Sequence, residues 1–241
     1  VANDDRREKP RIYAVKRQGA GWKLTRRGFL GTAAAMGGFK GSGQAEGQVE
    51  GDEGASEGEG VQVLNVCAHL SWVNAVCASP DGNYLISGGS DSKIKIWSLK
   101  DASLVKVLEG HEADVVSLAL TGDGKTLISG SMDTSLGFWS FPEGTLLRRI
   151  MGHEDSVSDL AVSPDGASVA SGSDDDALFL WQIPEGRPLN RVSARSRGVI
   201  GICMSSTGRL LAAGCTDNTV KIWMLPEFKL VRTFVGHGGD V

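Results

Sequence analysis

The chain has 241 residues, 33 of them Gly against only 7 Phe, 2 Tyr and 6 Trp, with a formal net charge of −4. Glycine at about twice its ordinary share of about 7% argues against a helical bundle and for many tight turns, a flexible stretch, or both. The length suffices for one domain of up to about 250 residues or two small ones, and no apolar run reaches the about 18 residues of a membrane-spanning helix. The mild net charge averages three unlike regions. Residues 1–40 hold 10 Lys or Arg and 3 acids, residues 41–60 hold 6 acids and no base, and residues 61–241 hold 15 bases and 20 acids. A nucleic-acid partner would need bases clustered on the folded body, and the body lacks that excess.

The first region, 1–40, reads as a basic tail. Within it Thr25-Arg26-Arg27-Gly28-Phe29-Leu30 precedes a short apolar stretch ending at Lys40, with small residues around Gly43-Gln44-Ala45. This layout resembles an export signal of the twin-arginine type, which carries folded proteins across the bacterial inner membrane. The resemblance implies a periplasmic or exported protein that meets the membrane only in transit through Arg26, Arg27, Phe29 and Leu30. A solvated basic tail on a cytoplasmic chain is the second reading. The next region, 41–60, is GSGQAEGQVEGDEGASEGEG. It has too little apolar surface to offset its ordering entropy and reads as a self-repelling linker.

From residue 61 the sequence repeats. Trp97, Trp139, Trp181 and Trp223 follow one another at steps of 42, and so do His69, His111, His153, Arg195 and His237, and Asp91, Asp133, Asp175 and Asp217. Such a period is about that of a four-stranded propeller blade. Each unit predicts a strand such as 73–77, a reversal at Ser79-Pro80-Asp81-Gly82, and a second strand such as 84–87. A third strand with period-two alternation follows at Ile94-Lys95-Ile96-Trp97, then a turn, then an outer strand such as 146–150. These recurring Gly-His, Ser-Pro-Asp-Gly, Ser-Gly-Ser and terminal Trp signals resemble the WD repeats of the WD40 β-propeller class. The expected fold is therefore all-β, with four complete blades over repeats 69–110, 111–152, 153–194 and 195–236 and a truncated fifth from 237. Trp is followed by Ser98, Ser140, Gln182 and Met224 rather than by the Asp usual in the family.

Each unit also carries His, Ser, Asp and Trp at matching offsets: His69, Ser87, Asp91, Trp97; His111, Ser129, Asp133, Trp139; His153, Ser171, Asp175, Trp181. Ser, His and Asp are the parts of an acyl-transfer triad, but an enzyme needs them once, in a cleft. Three copies, each with a Trp, point elsewhere. The family resemblance implies a hydrogen-bonded tetrad inside each blade, with the indole on Ser, Ser on His and His on Asp. A buried indole N–H requires an acceptor, which supports that role. In the fourth unit Arg195 replaces His and Ala213 replaces Ser together, leaving Asp217 and Trp223.

Cys67, Cys77, Cys203 and Cys215 have no zinc or haem spacing, and Cys77, Cys203 and Cys215 fall at repeat positions otherwise held by small residues. They read as packing residues, with no disulfide expected. No His cluster has metal-ligand spacing and no phosphate-binding glycine loop opens a helix. Neither a metal nor a cofactor is expected.

The resemblance places partner contacts on the rim formed by the loop after Gly-His and by the turn holding the repeated Asp. The loop contributes Leu70, Trp72, Glu112, Asp114, Glu154, Ser156, Ser196 and Gly198, and the turn contributes Ser90, Met132, Asp174 and Thr216. Acids around Trp72 and Met132 favour a basic protein or peptide. The leading expectation is a non-enzymatic, exported protein-interaction scaffold. A propeller subunit of a periplasmic redox or cofactor-binding complex and a cytosolic signalling scaffold are the alternatives. Residues 61–66 read as the outer strand of a blade whose inner strands are not in this sequence, so the expectation is an open arc belonging to a longer, seven-bladed ring.

Overall fold

The structure, a computed structural model, describes residues 13–18, 21–26 and 68–240. The acidic stretch 41–60, the expected strand at 61–66 and Arg27, Phe29 and Leu30 lie outside the described residues. The chain divides into two units between Ala68 and His69. In the first, β1 (Tyr13–Gln18) and β2 (Gly21–Arg26) pair antiparallel, with Tyr13 opposite Arg26 and Gln18 opposite Gly21. The sequence reading assigned no strand here.

The second unit is built from four antiparallel four-stranded sheets in chain order. Blade one contains β3 (Val73–Ala78), β4 (Tyr84–Gly89), β5 (Ile94–Ser98) and β6 (Leu104–Leu108). Blade two contains β7 (Val115–Leu120), β8 (Thr126–Ser131), β9 (Ser135–Ser140) and β10 (Leu146–Met151). Blade three contains β11 (Val157–Val162), β12 (Ser168–Ser173), β13 (Ala177–Gln182) and β14 (Pro188–Ser193). Blade four contains β15 (Val199–Met204), β16 (Leu210–Cys215), β17 (Thr219–Met224) and β18 (Lys229–Val235). The four complete blades expected from the repeat are present.

Turn chemistry explains the regularity. In the first reversal the Gly82 N–H donates to the Ser79 carbonyl at 2.9 Å, and Gly82 has φ 72°. Gly124, Gly166 and Gly208 repeat both features. A side chain at such a φ is strained, so Gly sets the tightness of the turn. Each inner strand also shifts register near its start, at Val73/Ala75, Val115/Ser117, Val157/Asp159 and Val199/Gly201. A bulge there bends the strand where the loop above it begins.

The core lies between blades rather than inside any one of them. One cluster joins Ile86, Ile94, Ile96 and Leu108 of blade one to Val115, Leu127, Trp139 and Phe141 of blade two. The same positions, advanced by the repeat, form the clusters between blades two and three and between three and four. A single sheet cannot bury both faces, so each blade stabilises the next by covering it. Inner strand packs on inner strand from β3 to β7 to β11 to β15, and no comparable packing returns from β15 to β3. The arc is open among the described residues, in keeping with the expectation. Cys203 is exposed, although its sequence position predicted packing, because among the described residues no blade lies over that face of blade four. Cys77 at the same place in blade one is covered, and burial pushes its thiol up to about 12.

Candidate functional site

The three full tetrads form as the resemblance implied. In blade two the Trp139 indole N–H donates to Ser129 Oγ at 2.8 Å, Ser129 Oγ lies 2.7 Å from His111 Nε2, and His111 Nδ1 lies 2.9 Å from Asp133. A carboxylate only accepts, so Nδ1 carries the proton and Nε2 accepts from the Ser hydroxyl. Blades one and three match, with Trp97 and Trp181 donating to Ser87 and Ser171 at 2.9 and 2.8 Å. His69 and His153 then reach Ser87 and Ser171 at 2.8 and 2.7 Å and Asp91 and Asp175 at 2.7 and 3.1 Å. All three Ser side chains are buried and engaged on two sides, so none offers a free nucleophile to a substrate.

Electrostatics follow the burial. Desolvation holds His111 and His153 below the ordinary imidazole value against the pull of Asp133 and Asp175. For Asp133, burial pushes upward. Hydrogen bonds from Ser135, the Glu112 N–H and His111 outweigh it and bring the carboxyl down to about 2. Arg149 from the outer strand adds an ion pair to Asp133 at 3.1 Å and another to Glu112 at 2.8 Å.

Blade four solves the same problem differently, and the sequence reading missed how. Lys221 fills the space left by Arg195 and Ala213, donating from Nζ to Asp217 at 2.8 Å and to the carbonyls of Ala194 and Arg195 at 2.7 and 3.2 Å. Its side chain is almost wholly buried. Period-two alternation sets Lys221 on the same face of β17 as buried Trp223. Nothing in the period flags it, since the matching places hold Lys95, Gly137 and Phe179. Arg195 instead turns outward at φ 54°, and Asp176 accepts the N–H groups of Arg195 and Ser196 at 2.9 and 2.7 Å.

The tetrad aspartates also build the rim. Asp133 and Asp175 each accept the N–H of the residue after the histidine, Glu112 and Glu154, at 2.8 Å. A second repeated bond ties the loop to the turn. Ser90 donates its N–H to the Trp72 carbonyl, Met132 to Asp114, Asp174 to Ser156 and Thr216 to Gly198, at 2.9 to 3.1 Å. The two sets of rim residues predicted from sequence therefore meet in pairs on one edge of the blades. Asn74 links the first two pairs, donating to Ser90 Oγ at 3.0 Å and to Asp114 at 3.4 Å.

Exposure sorts the predicted rim. Leu70 is 94% exposed, Met132 50% and Trp72 45%. Glu112, Glu154 and Asp174 are exposed, and Ser90, Asp114, Ser156 and Thr216 are half-buried. Ser196 and Gly198 are buried, a correction to their placement on the accessible rim: Asp176 draws Ser196 inward, and Gly198 packs against Asp174 and Thr216. Partial burial, and then the neighbouring charges of Asp155 and Asp175, push the Asp174 carboxyl above the usual carboxylate value. Among the described residues no group of three or more His, Cys, Asp or Glu is placed to hold a metal ion. No helix there is long and apolar enough to cross a membrane.

Comparison with known proteins agrees with this architecture. The family model "WD domain, G-beta repeat" matches residues 60–98, 102–140, 144–182 and 186–224. Each match from the second onward opens on the outer strand of one blade and ends with the third strand of the next. The general transcriptional corepressor TUP1 of Saccharomyces cerevisiae is 39% identical over 61 residues, 24% of this chain and 9% of that protein. WD repeat-containing protein 86 of Homo sapiens is 39% identical over 59 residues, 24% of this chain and 16% of that one. The solved structure of U3-55K superposes with a TM-score of 0.67 at 24% identity, over 72% of this chain and 55% of that chain. The segments shared with the two curated relatives thus span only a small part of their length, and the solved propeller is matched over about half of its own.

Proposed function

The chain belongs to the WD-repeat family, and on that premise we propose that it is a non-enzymatic scaffold whose acidic rim docks basic proteins or peptides. The observation that carries this reading is the repeated bond between loop and turn. It holds exposed Leu70, Trp72 and Met132 on the same edge as Glu112, Glu154 and Asp174. Apolar anchors beside like charges are the make-up of a surface that takes apolar contact at its centre and charge at its edge. The paired Trp72→Ala and Met132→Ala substitutions should remove most specifically retained proteins from affinity capture while leaving the melting temperature unchanged. Retention of the same proteins at the same levels would sink the reading.

The segment beginning at Arg26 supports export of the twin-arginine type as the route by which the scaffold reaches its partners. A reporter carrying residues 1–60 should accumulate outside the bacterial cytoplasm, and the paired Arg26→Lys and Arg27→Lys substitutions should retain it inside. Equal location of the two overturns export.

A further inference from the structure

The rim is not acidic throughout. On blade three it presents Glu154, Asp155 and Asp174, all exposed. One period later, on blade four, Arg195 stands at the place of His153 and Arg197 at the place of Asp155, and both arginines are exposed. The sign of the charge therefore reverses from one blade to the next. Asp155 is exposed although blade four follows it, so exposure at the repeat position of Arg197 does not depend on what lies beyond blade four.

The bonds beneath the loop explain why its surface is positive. Arg195 has φ 54° and Arg197 φ 77°, both in the left-handed region. Asp176 of blade three holds that conformation from below, accepting the N–H groups of Arg195 and Ser196 at 2.9 and 2.7 Å and the Ser196 hydroxyl at 2.8 Å. Lys221 donates to the carbonyls of Ala194 and Arg195 at 2.7 and 3.2 Å, and Thr216 to those of Ser196 and Gly198 at 2.8 and 3.1 Å. Four carbonyls, the negative ends of their peptide dipoles, are thus drawn inward. The nearby carboxylates are engaged as well, Asp176 on the loop backbone and Asp217 on Lys221 at 2.8 Å. Among the described residues Arg195 and Arg197 form no ion pair. In blade two, by contrast, Arg149 pairs with Glu112 and Asp133. A guanidinium without a partner, on a loop already fixed in place, binds a carboxylate through parallel N–H bonds at little cost in ordering.

We propose that the rim of blade four is a carboxylate-binding platform, so that a partner segment crossing from blade three to blade four changes from basic to acidic side chains. Carboxylate binding stands on the loop alone, whereas the change of sign along the segment rests on the basic partner proposed for the acidic rim. The two signs together orient the docked segment. A segment of one charge throughout meets like charge on one of the two blades, and that repulsion selects against it.

Fluorescence anisotropy of the full chain with labelled peptides at low salt tests the platform. A peptide with a Ser run and a Glu run reads blade four alone, and one with a Lys run and a Ser run reads the acidic rim alone. A third, with a Lys run, a Gly-Ser spacer and a Glu run, reads both. The Lys-Glu peptide should bind about three- to tenfold more tightly than the Lys-Ser peptide, the contribution of two exposed ion pairs. Arg195→Asn combined with Arg197→Asn should abolish that advantage and the binding of the Ser-Glu peptide. Asn tolerates a left-handed backbone and the loop is held by backbone groups and Ser196, so the double variant should keep its melting temperature. Arg209→Asn, also exposed but at the opposite end of β15, should change neither result. Failure of the unaltered chain to bind the Ser-Glu peptide would overturn the platform. So would an advantage that survives the double variant or is lost equally in Arg209→Asn. Absence of Lys-Ser binding with the Ser-Glu response intact would overturn the basic partner and the change of sign, and support the carboxylate site.

Discussion

At the scale of the residue, the tetrads show how one constellation can resemble catalytic machinery and act as a brace. His111 connects the indole of Trp139, through Ser129, to Asp133, and Asp133 in turn pins the loop at Glu112. His111→Ala removes the link and leaves a buried hydroxyl and a carboxylate short of partners, at a cost of about 1–3 kcal/mol. In a domain of this size each kcal/mol lowers Tm by about 2–4 °C, so calorimetry should record a fall of several degrees. Loss of a discrete activity with Tm unchanged would contradict a structural role. The same groups dictate the response to acid. His111 and His153 are held below the ordinary 6.5, so as pH falls through 6.5 the unfolded chain takes up protons that the folded chain refuses, and stability drops. A further drop follows as pH falls from the ordinary aspartate value of 3.8 through the about 2 of Asp133. His111→Ala should flatten the first limb. An equal slope between pH 7 and 5 in both proteins would show that the histidines do not set it.

At the scale of the element, the repeat is a set of local rules that agree with one another. An Asp-Gly or Thr-Gly pair, preceded by Pro80, Gly122, Pro164 or Ser206, closes the first hairpin of each blade, and the strands on either side alternate. A Gly in the second strand makes room for the next blade. That last rule is the sharpest, because the glycine is needed for a neighbour far off in sequence and not for its own conformation. Gly130→Ala places a Cβ 2.7 Å from the Val157 Cγ1 and 3.5 Å from Leu160, and the strand cannot move without shifting the blade. Overpacking of this kind costs about 1–3 kcal/mol. Gly238→Ala, which meets nothing within 4 Å, serves as the control. Equal melting temperatures for the two variants would mean that the blades are packed more loosely than the structure shows.

At the scale of the whole molecule, function follows from what the stack leaves uncovered. Among the described residues each interior blade face is covered by its neighbour, and exposed large side chains lie on the acidic rim and on the outer strands, where Leu104, Leu147 and Leu189 are 46%, 49% and 44% exposed. The rim was legible because its residues recur at the same step as the tetrads, and residues that keep a period keep a place. Trp72 and Met132 could be put on one edge before any coordinates were known. How open each rim residue is could not be read that way. Ser196 shares its repeat position with exposed Leu70, Glu112 and Glu154, yet the outward turn of Arg195 and the pull of Asp176 bury it.

The amino-acid sequence by itself determined the four described blades, the strand order within them, their turns and the repeat positions of the tetrad residues, while the bonding order within each tetrad came from the family resemblance. Strands, turns and positions depend on spacing along the chain, and a fixed period of 42 carries spacing faithfully. Tertiary structure alone decided the rest. Lys221 serves where His and Ser are missing because Asp217 and two loop carbonyls converge on its ammonium group, and Cys203 is exposed because no described blade covers it. Burial and hydrogen bonding belong to the neighbour across the gap, and one strand's pattern does not record which neighbour is there.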